Sequence, residues 1–166
     1  MTETKIEYAG FWMRFVALII DYIVIQLLQS FLIIPILGIV GMGFLIPTES
    51  FDSFDFDMMS DGDIVVMIIG IISAVAATML LALSVSILYF SLMESSKHQA
   101  TLGKMALGLQ VTDMEGKRLD FIKALLRQLG KIVSSMTMYI GYIMAGFTSK
   151  KQALHDLMAN TLVVKK

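Results

Sequence analysis

The chain alternates between long stretches that have no polar face and shorter segments dense in charge. Residues 15–47 form an apolar run of 33 positions interrupted by one acid, Asp21, and residues 64–93 form a second run of 30 positions with no charge. An amphipathic surface helix carries a polar stripe along its length. Neither run has one, and each exceeds the roughly 20 residues a helix needs to cross a hydrocarbon core. Two long transmembrane helices are therefore expected, over about residues 12–46 and 64–93. The first is longer than one crossing requires, so it is expected to tilt, or to break at Pro35, Gly38, Gly41 or Gly43. Phe11, Trp12 and Arg14 at its start have the character of an interfacial belt. In the second run Gly70, Ser73, Ala74, Ala77, Ala82 and Ser86 predict close helix packing, on the first span or on another copy of the chain.

Beyond residue 94 the pattern changes. Residues 107–112 have strand character, residues 113–116 read as a turn and residues 117–119 as a return strand, which predicts a small cytoplasmic hairpin within 101–119. Asp120 is the expected N-cap of a helix over residues 121–133. There Lys123, Arg127 and Lys131 recur every four positions, opposite Phe121, Leu125, Leu129 and Ile132. Such a helix suits the inner-leaflet interface, where each Lys or Arg gains about 1 kcal/mol from anionic lipid. Residues 133–148 are uncharged, yet too short for a clean crossing and interrupted by Gly141 and Gly146. A third crossing would also carry Lys150, Lys151, Lys165 and Lys166 outside, so a short embedded helix or re-entrant hairpin is favoured over a full span. The tail, residues 149–166, reads as a short helix followed by a strand over 161–164 suited to pair with 107–112. The predicted fold class is an all-α membrane protein: two long transmembrane helices, a third membrane-embedded short helix or re-entrant hairpin, and a small cytoplasmic β element.

Composition supports that class and narrows the chemistry. Only 16% of the 166 residues are charged, against about a quarter in soluble domains, and so short a chain leaves no room for a separate soluble enzyme. The absence of cysteine excludes disulfides, thiolate-held metals and thiol nucleophiles. Charge is distributed asymmetrically: residues 15–93 hold seven acids and no Lys or Arg, whereas residues 94–166 hold eleven Lys and Arg against five acids. Basic loops stay on the cytoplasmic side, so the N-terminus, the 95–120 segment and the tail are expected inside and the acidic loop 48–63 outside. That loop lacks the ligand order of an EF-hand and reads as a solvated negative segment. Asp61, Gly62 and Asp63 close it as a turn that caps the next helix. The N-terminal run is too long for a secretory h-region and is followed by no small-residue cleavage site.

The candidate chemistry centres on Asp21. A carboxylate in an apolar span must be paired, protonated or facing a wet cavity, since an ion at the bilayer centre costs roughly 2.5–3.5 kcal/mol even on lenient scales. Arg14 lies seven residues earlier, on the same helix face and about 10 Å away along the axis. Arg14 or Arg127 is the expected partner of Asp21, with His155 and Asp156 of the tail meeting Arg14 or Arg127 near the inner interface. The functional reading makes Asp21, Arg14 and Asp156 an ion-binding or transport set supported by Arg127 and His155. The structural reading makes them an ion-pair network that fixes packing, in a non-transporting membrane scaffold or accessory subunit that binds lipid headgroups or a partner protein. Lys123, Arg127 and Lys131 are expected to contact lipid headgroups. No metal-ligand spacing, phosphate loop or nucleophile elbow is present, and neither a cofactor nor enzyme activity is expected. The expected partners are the bilayer, anionic inner-leaflet lipids, a monovalent cation or proton and further copies of the chain, but no nucleic acid.

Three ordered motifs resemble the RDD family of bacterial integral membrane proteins. They are AGFWMRFVALIID at 9–21; TLGK at 101–104 with GLQV at 108–111 and GKR at 116–118; and ALHD at 153–156 with TLVV at 161–164. The resemblance implies that Arg14, Asp21 and Asp156 are the arginine and two aspartates for which the family is named. Met105 departs from the basic residue common after the Gly-Lys pair. The resemblance further implies an inner-membrane location, suggested transport of small ligands, and sodium/proton exchange in some members.

Overall fold

A computed structural model describes residues 7–45, 60–138 and 140–166 of the chain. Two helices are long and apolar enough to cross a membrane: α1 (Phe11–Leu45), whose candidate span is Phe11–Ile39, and α2 (Asp61–Glu94). The core helix of a soluble protein would bury such a sequence. Here Phe31, Ile34, Val66, Ile69, Ile72 and Leu80 are all exposed, as lipid contact requires. α1 runs through Pro35 and on to Leu45 as one helix. Most of the acidic loop, residues 46–59, lies outside the described residues. At its end the cap of α2 is Ser60 rather than the expected turn at 61–63: the Asp63 amide donates to Ser60 Oγ at 3.3 Å, and Asp63 accepts from the Ser60 amide at 3.1 Å.

The chain divides into two compact units. Gln26–Val85 is built from parts of α1 and α2. Its hydroxyls satisfy themselves within the helix, Ser73 donating to the Ile69 carbonyl, Thr78 to Ala74 and Ser84 to Leu80. Gln29 Nε2 donates to the Ala82 carbonyl at 2.8 Å and links the two helices. Ala74 and Ala77 face Ile33, Ile36 and Leu37 across a narrow gap of about 130 Å³.

The other unit, Met1–Ile25 with Ser86–Lys166, contains the remaining elements: α3 (Leu102–Ala106), β1 (Leu109–Asp113), α4 (Phe121–Met136), α5 (Ile140–Ile143), a 3-10 turn (Met144–Gly146), α6 (Leu154–Met158) and β2 (Thr161–Lys165). β1 pairs antiparallel with β2 in the register Leu109 to Lys165 through Asp113 to Thr161. The expected return strand at 117–119 does not form. Asp113 instead closes a tight turn, its carboxylate accepting from the Glu115 and Lys117 amides. Tyr8 bridges to Val164, and the Ala9 amide donates to the Val163 carbonyl. These contacts tie the chain start to the sheet. Ala9, Ala17, Leu109, Val111, Leu119, Ala124 and Val163 form the core beneath. Residues 133–148 hold the end of α4, a turn, the four-residue α5 and the 3-10 turn, so no third crossing exists among the described residues.

α4 starts on the Asp120 cap and turns its charged side inward. Arg127 and Gln128 are buried, while Ile122, Leu126, Leu129, Val133 and Met136 face out. The expected lipid-facing basic stripe is corrected accordingly: Arg127 is engulfed, Lys131 is mostly covered and only Lys123 is exposed. The reason is the presence of buried acids from distant segments. An inward carboxylate attracts the cations, and outward apolar side chains incur no penalty where the solvent is lipid.

Candidate functional site

Asp21 is 1% exposed and fully engaged, but with neither expected arginine. Its Oδ2 accepts from Thr101 Oγ1 at 2.5 Å. Its Oδ1 accepts from the Gly103 amide at 2.8 Å and from the Tyr89 hydroxyl at 3.0 Å. Tyr89 in turn accepts from the Leu102 amide at 3.2 Å. The first turn of α3 has amides with no helical acceptor, and Asp21 supplies one of them. Approach is close enough to demand glycine at 103: a Cβ there would collide with the Ala17 carbonyl oxygen and sit 2.9 Å from Asp21 Cγ. The apolar helix is thus clasped by the TLGK segment through hydrogen bonds rather than through an ion pair.

Beside it lies a knot of paired basic and acidic side chains. Arg127 reaches Asp156 Oδ1 with Nε at 2.8 Å and Nη2 at 2.5 Å, and Glu94 Oε2 with Nη1 at 2.8 Å. Arg14 bonds Asp156 Oδ2 through Nη1, the Ala9 carbonyl through Nε and the Lys151 carbonyl through Nη2. Lys104 pairs with Glu94 Oε1, and Gln128 adds a bond to Glu94 Oε2 at 3.3 Å. Lys131 stands 3.8 Å from Glu94 and 4.1 Å above the Phe90 ring. Four cations therefore surround two carboxylates. Asp156 also accepts from the Ala153 amide at the start of α6, which fixes the tail. Gly141 lets α5 close on α4, since a Cβ there would lie 2.7 Å from Ser134 Oγ.

Burial and pairing set the protonation states. Burial pushes the Asp156 carboxyl up, but Arg127 and Arg14 outweigh it and hold the group below the usual carboxylate range. Burial opposes the charge of Arg127, yet Asp156 and Glu94 raise its affinity for its proton. Burial lowers Lys104, with Glu94 offsetting part of that effect. For Lys131 burial again dominates, Glu94 restores part, and Lys104 and Arg127 oppose it, leaving the ammonium pushed down to about 7. His155 is buried and its proton affinity falls well below normal, with Asp156 only partly compensating. It lies 3.6 Å from Asp156 Oδ1 and 3.4 Å from Ser134 Oγ, a neutral hydrogen-bonding residue.

Arg14, Lys104, Arg127 and Lys131 all line one cavity of about 320 Å³. Phe11, Phe15, Leu18, Phe90, Tyr142 and Ile143 form most of its apolar wall, and Asp21 and His155 also line it. Glu94 and Asp156 stand outside the lining, and most of the surface that the cavity exposes is apolar. Sequence reasoning did not single out Glu94, Lys104, Thr101, Gly103 or Tyr89 as site residues. Glu94 carried a usable signal: it is the first charge after 30 uncharged positions, followed by eleven cations.

A pair of long lipid-suited helices joined to a buried charge knot defines a membrane protein, and the comparisons with known proteins place it more closely. The chain belongs to the RDD family, whose model matches residues 8–160. It is 35% identical to the uncharacterized protein YxaI of Bacillus subtilis, over 95% of this chain and 97% of that one. It is 32% identical to the uncharacterized membrane protein YteJ of the same organism, over 95% of this chain and 80% of that one. No solved structure matches.

Proposed function

We propose that this RDD-family protein is a non-enzymatic inner-membrane protein that binds small anions or anionic groups in its cationic cavity, on the cytoplasmic side, as a step in sensing or moving them. The observation that carries this reading is the cavity lining of four cations and one acid. That acid, Asp21, already accepts three hydrogen bonds, which leaves little of a carboxylate's roughly four lone-pair sites for a metal cation. Glu94 and Asp156 are each held by at least two cations. The basic half of the chain supports the cytoplasmic orientation. The test is thermal unfolding of the purified protein in neutral detergent, titrated with inorganic phosphate against chloride at matched ionic strength. Saturable stabilisation by phosphate, weakened in Lys131→Gln, is expected; equal responses to the two salts in wild type would overturn the reading.

A second reading, sodium/proton exchange at Asp21, is favoured by the position of that carboxylate on the cavity wall within the apolar helix. Sodium flux into vesicles across a pH gradient separates the two. Flux in wild type that Asp21→Asn abolishes supports exchange, and equal flux in both removes Asp21 from any such mechanism.

A further inference from the structure

We infer that the occupant of this cavity is a membrane lipid with a net anionic phosphate headgroup, its phosphate at Lys131 and the start of one acyl chain against Phe15, Leu18 and Ile143. This rests on the anion reading and adds the amphiphile. A free inorganic anion has no use for apolar walls, yet aromatic and aliphatic side chains form most of this cavity. Phe15, Leu18 and Ile143 are also exposed at the protein surface, so the wall continues into a face suited to lipid.

Size agrees. A cavity of about 320 Å³ is on the scale of a headgroup rather than of a whole lipid. The remainder of each chain would then lie outside, along exposed apolar surface. Charge selects the contact residue. Arg14 is spent on Asp156 and two carbonyls, Arg127 on both acids, and Lys104 on Glu94. Lys131 has only a 3.8 Å approach to a carboxylate that two other cations already hold, plus an aromatic face. An arriving phosphate would give its ammonium a closer partner without breaking the knot. Lys131 faces inward from α4 and lines the cavity together with Phe15, Leu18 and Ile143, whose exposed side chains carry the apolar wall out to the surface.

Native mass spectrometry of the full chain from neutral detergent tests this, with phosphatidylglycerol, phosphatidylcholine and inorganic phosphate as probes. Phosphatidylglycerol is expected to be retained at least about fivefold better than the zwitterionic lipid, and Lys131→Gln to erase that preference. Lys131→Arg keeps the charge and should keep the preference, which guards against a merely misfolded variant. Leu18→Trp, at a half-exposed wall position, should weaken the lipid adduct and leave the inorganic phosphate response intact. Equal retention of the two lipids, or an unaffected lipid adduct in Leu18→Trp, overturns the inference. Phosphate binding without lipid binding overturns it while sparing the anion reading. Binding of neither overturns both.

Discussion

The two units of this chain obey opposite rules of burial. In the helices of Gln26–Val85 the exposed surface is mostly apolar, and hydroxyls such as those of Ser30, Ser73, Thr78 and Ser84 bond carbonyls three or four residues back, while Gln29 reaches the Ala82 carbonyl. In the unit formed by the chain start and Ser86–Lys166, four cations and three acids are gathered into the interior, partly behind an apolar exterior. The first unit is tuned to its solvent, and composition alone specifies it. The second depends on particular partners. Charges removed from water are tolerated only when paired and hydrogen-bonded, so losing one member strands the rest.

That contrast sets the scale of mutational effects. Arg127→Met leaves Asp156 and Glu94 without their shared cation and should cost about 3–5 kcal/mol, read as a fall in thermal midpoint in detergent or as loss of monodisperse protein. Gly103→Ala forces a methyl into the Ala17 backbone and the Asp21 carboxylate, and should cost about 1–3 kcal/mol in the same assay. A shift as small as that of an ordinary surface substitution, under about 0.5 kcal/mol, would refute the tight clasp.

Acid should probe the same difference. Asp156 binds its proton less readily when folded than its ordinary value of 3.8. Its contribution is therefore complete above that value and drains away as pH falls below it, because the unfolded chain then takes up the proton first. The thermal midpoint should drop below about pH 4 in wild type, and less steeply in Asp156→Asn. Lys131 gives the same direction in a higher pH window, because there it is the charged form that the fold disfavours. Its ammonium is depressed from 10.5 to about 7, facing Glu94, Lys104, Arg127 and the Phe90 ring. Between those values the unfolded chain holds more protons, so stability should rise with pH from 7 to 9, and Lys131→Met should flatten that rise. The smallest effect belongs to the other unit: Gln29→Leu removes the neutral hydrogen bond to the Ala82 carbonyl and should cost about 1 kcal/mol.

The parts legible in the sequence share one property, which is that their cause is local. Two unbroken apolar runs mean long helices wherever they sit, and α1 and α2 match them. Asp120 preceding an apolar period caps α4, and the strand-like stretches at 107–112 and 161–164 do pair. The errors came where the cause was a distant residue. The meeting of Asp156 with Arg14 and Arg127 was expected, but the basic stripe on α4 was expected to face lipid as well, and Glu94 and Asp156 together draw it in. Asp21 was expected to need a cation, whereas the hydroxyls of Thr101 and Tyr89 and one backbone amide suffice.

The sequence by itself determined that this chain is a membrane protein of the RDD type, with Arg14, Asp21 and Asp156 as its notable charges, because hydropathy and motif order can be read along a line. Only the tertiary structure decided which charge meets which, that Asp21 clasps α3, and that four cations share an apolar-walled cavity. Ion pairs and hydrogen bonds act over a few ångströms across segments up to 158 residues apart in the chain. No periodicity records such distances, so their partners emerge only once the backbone has closed on itself.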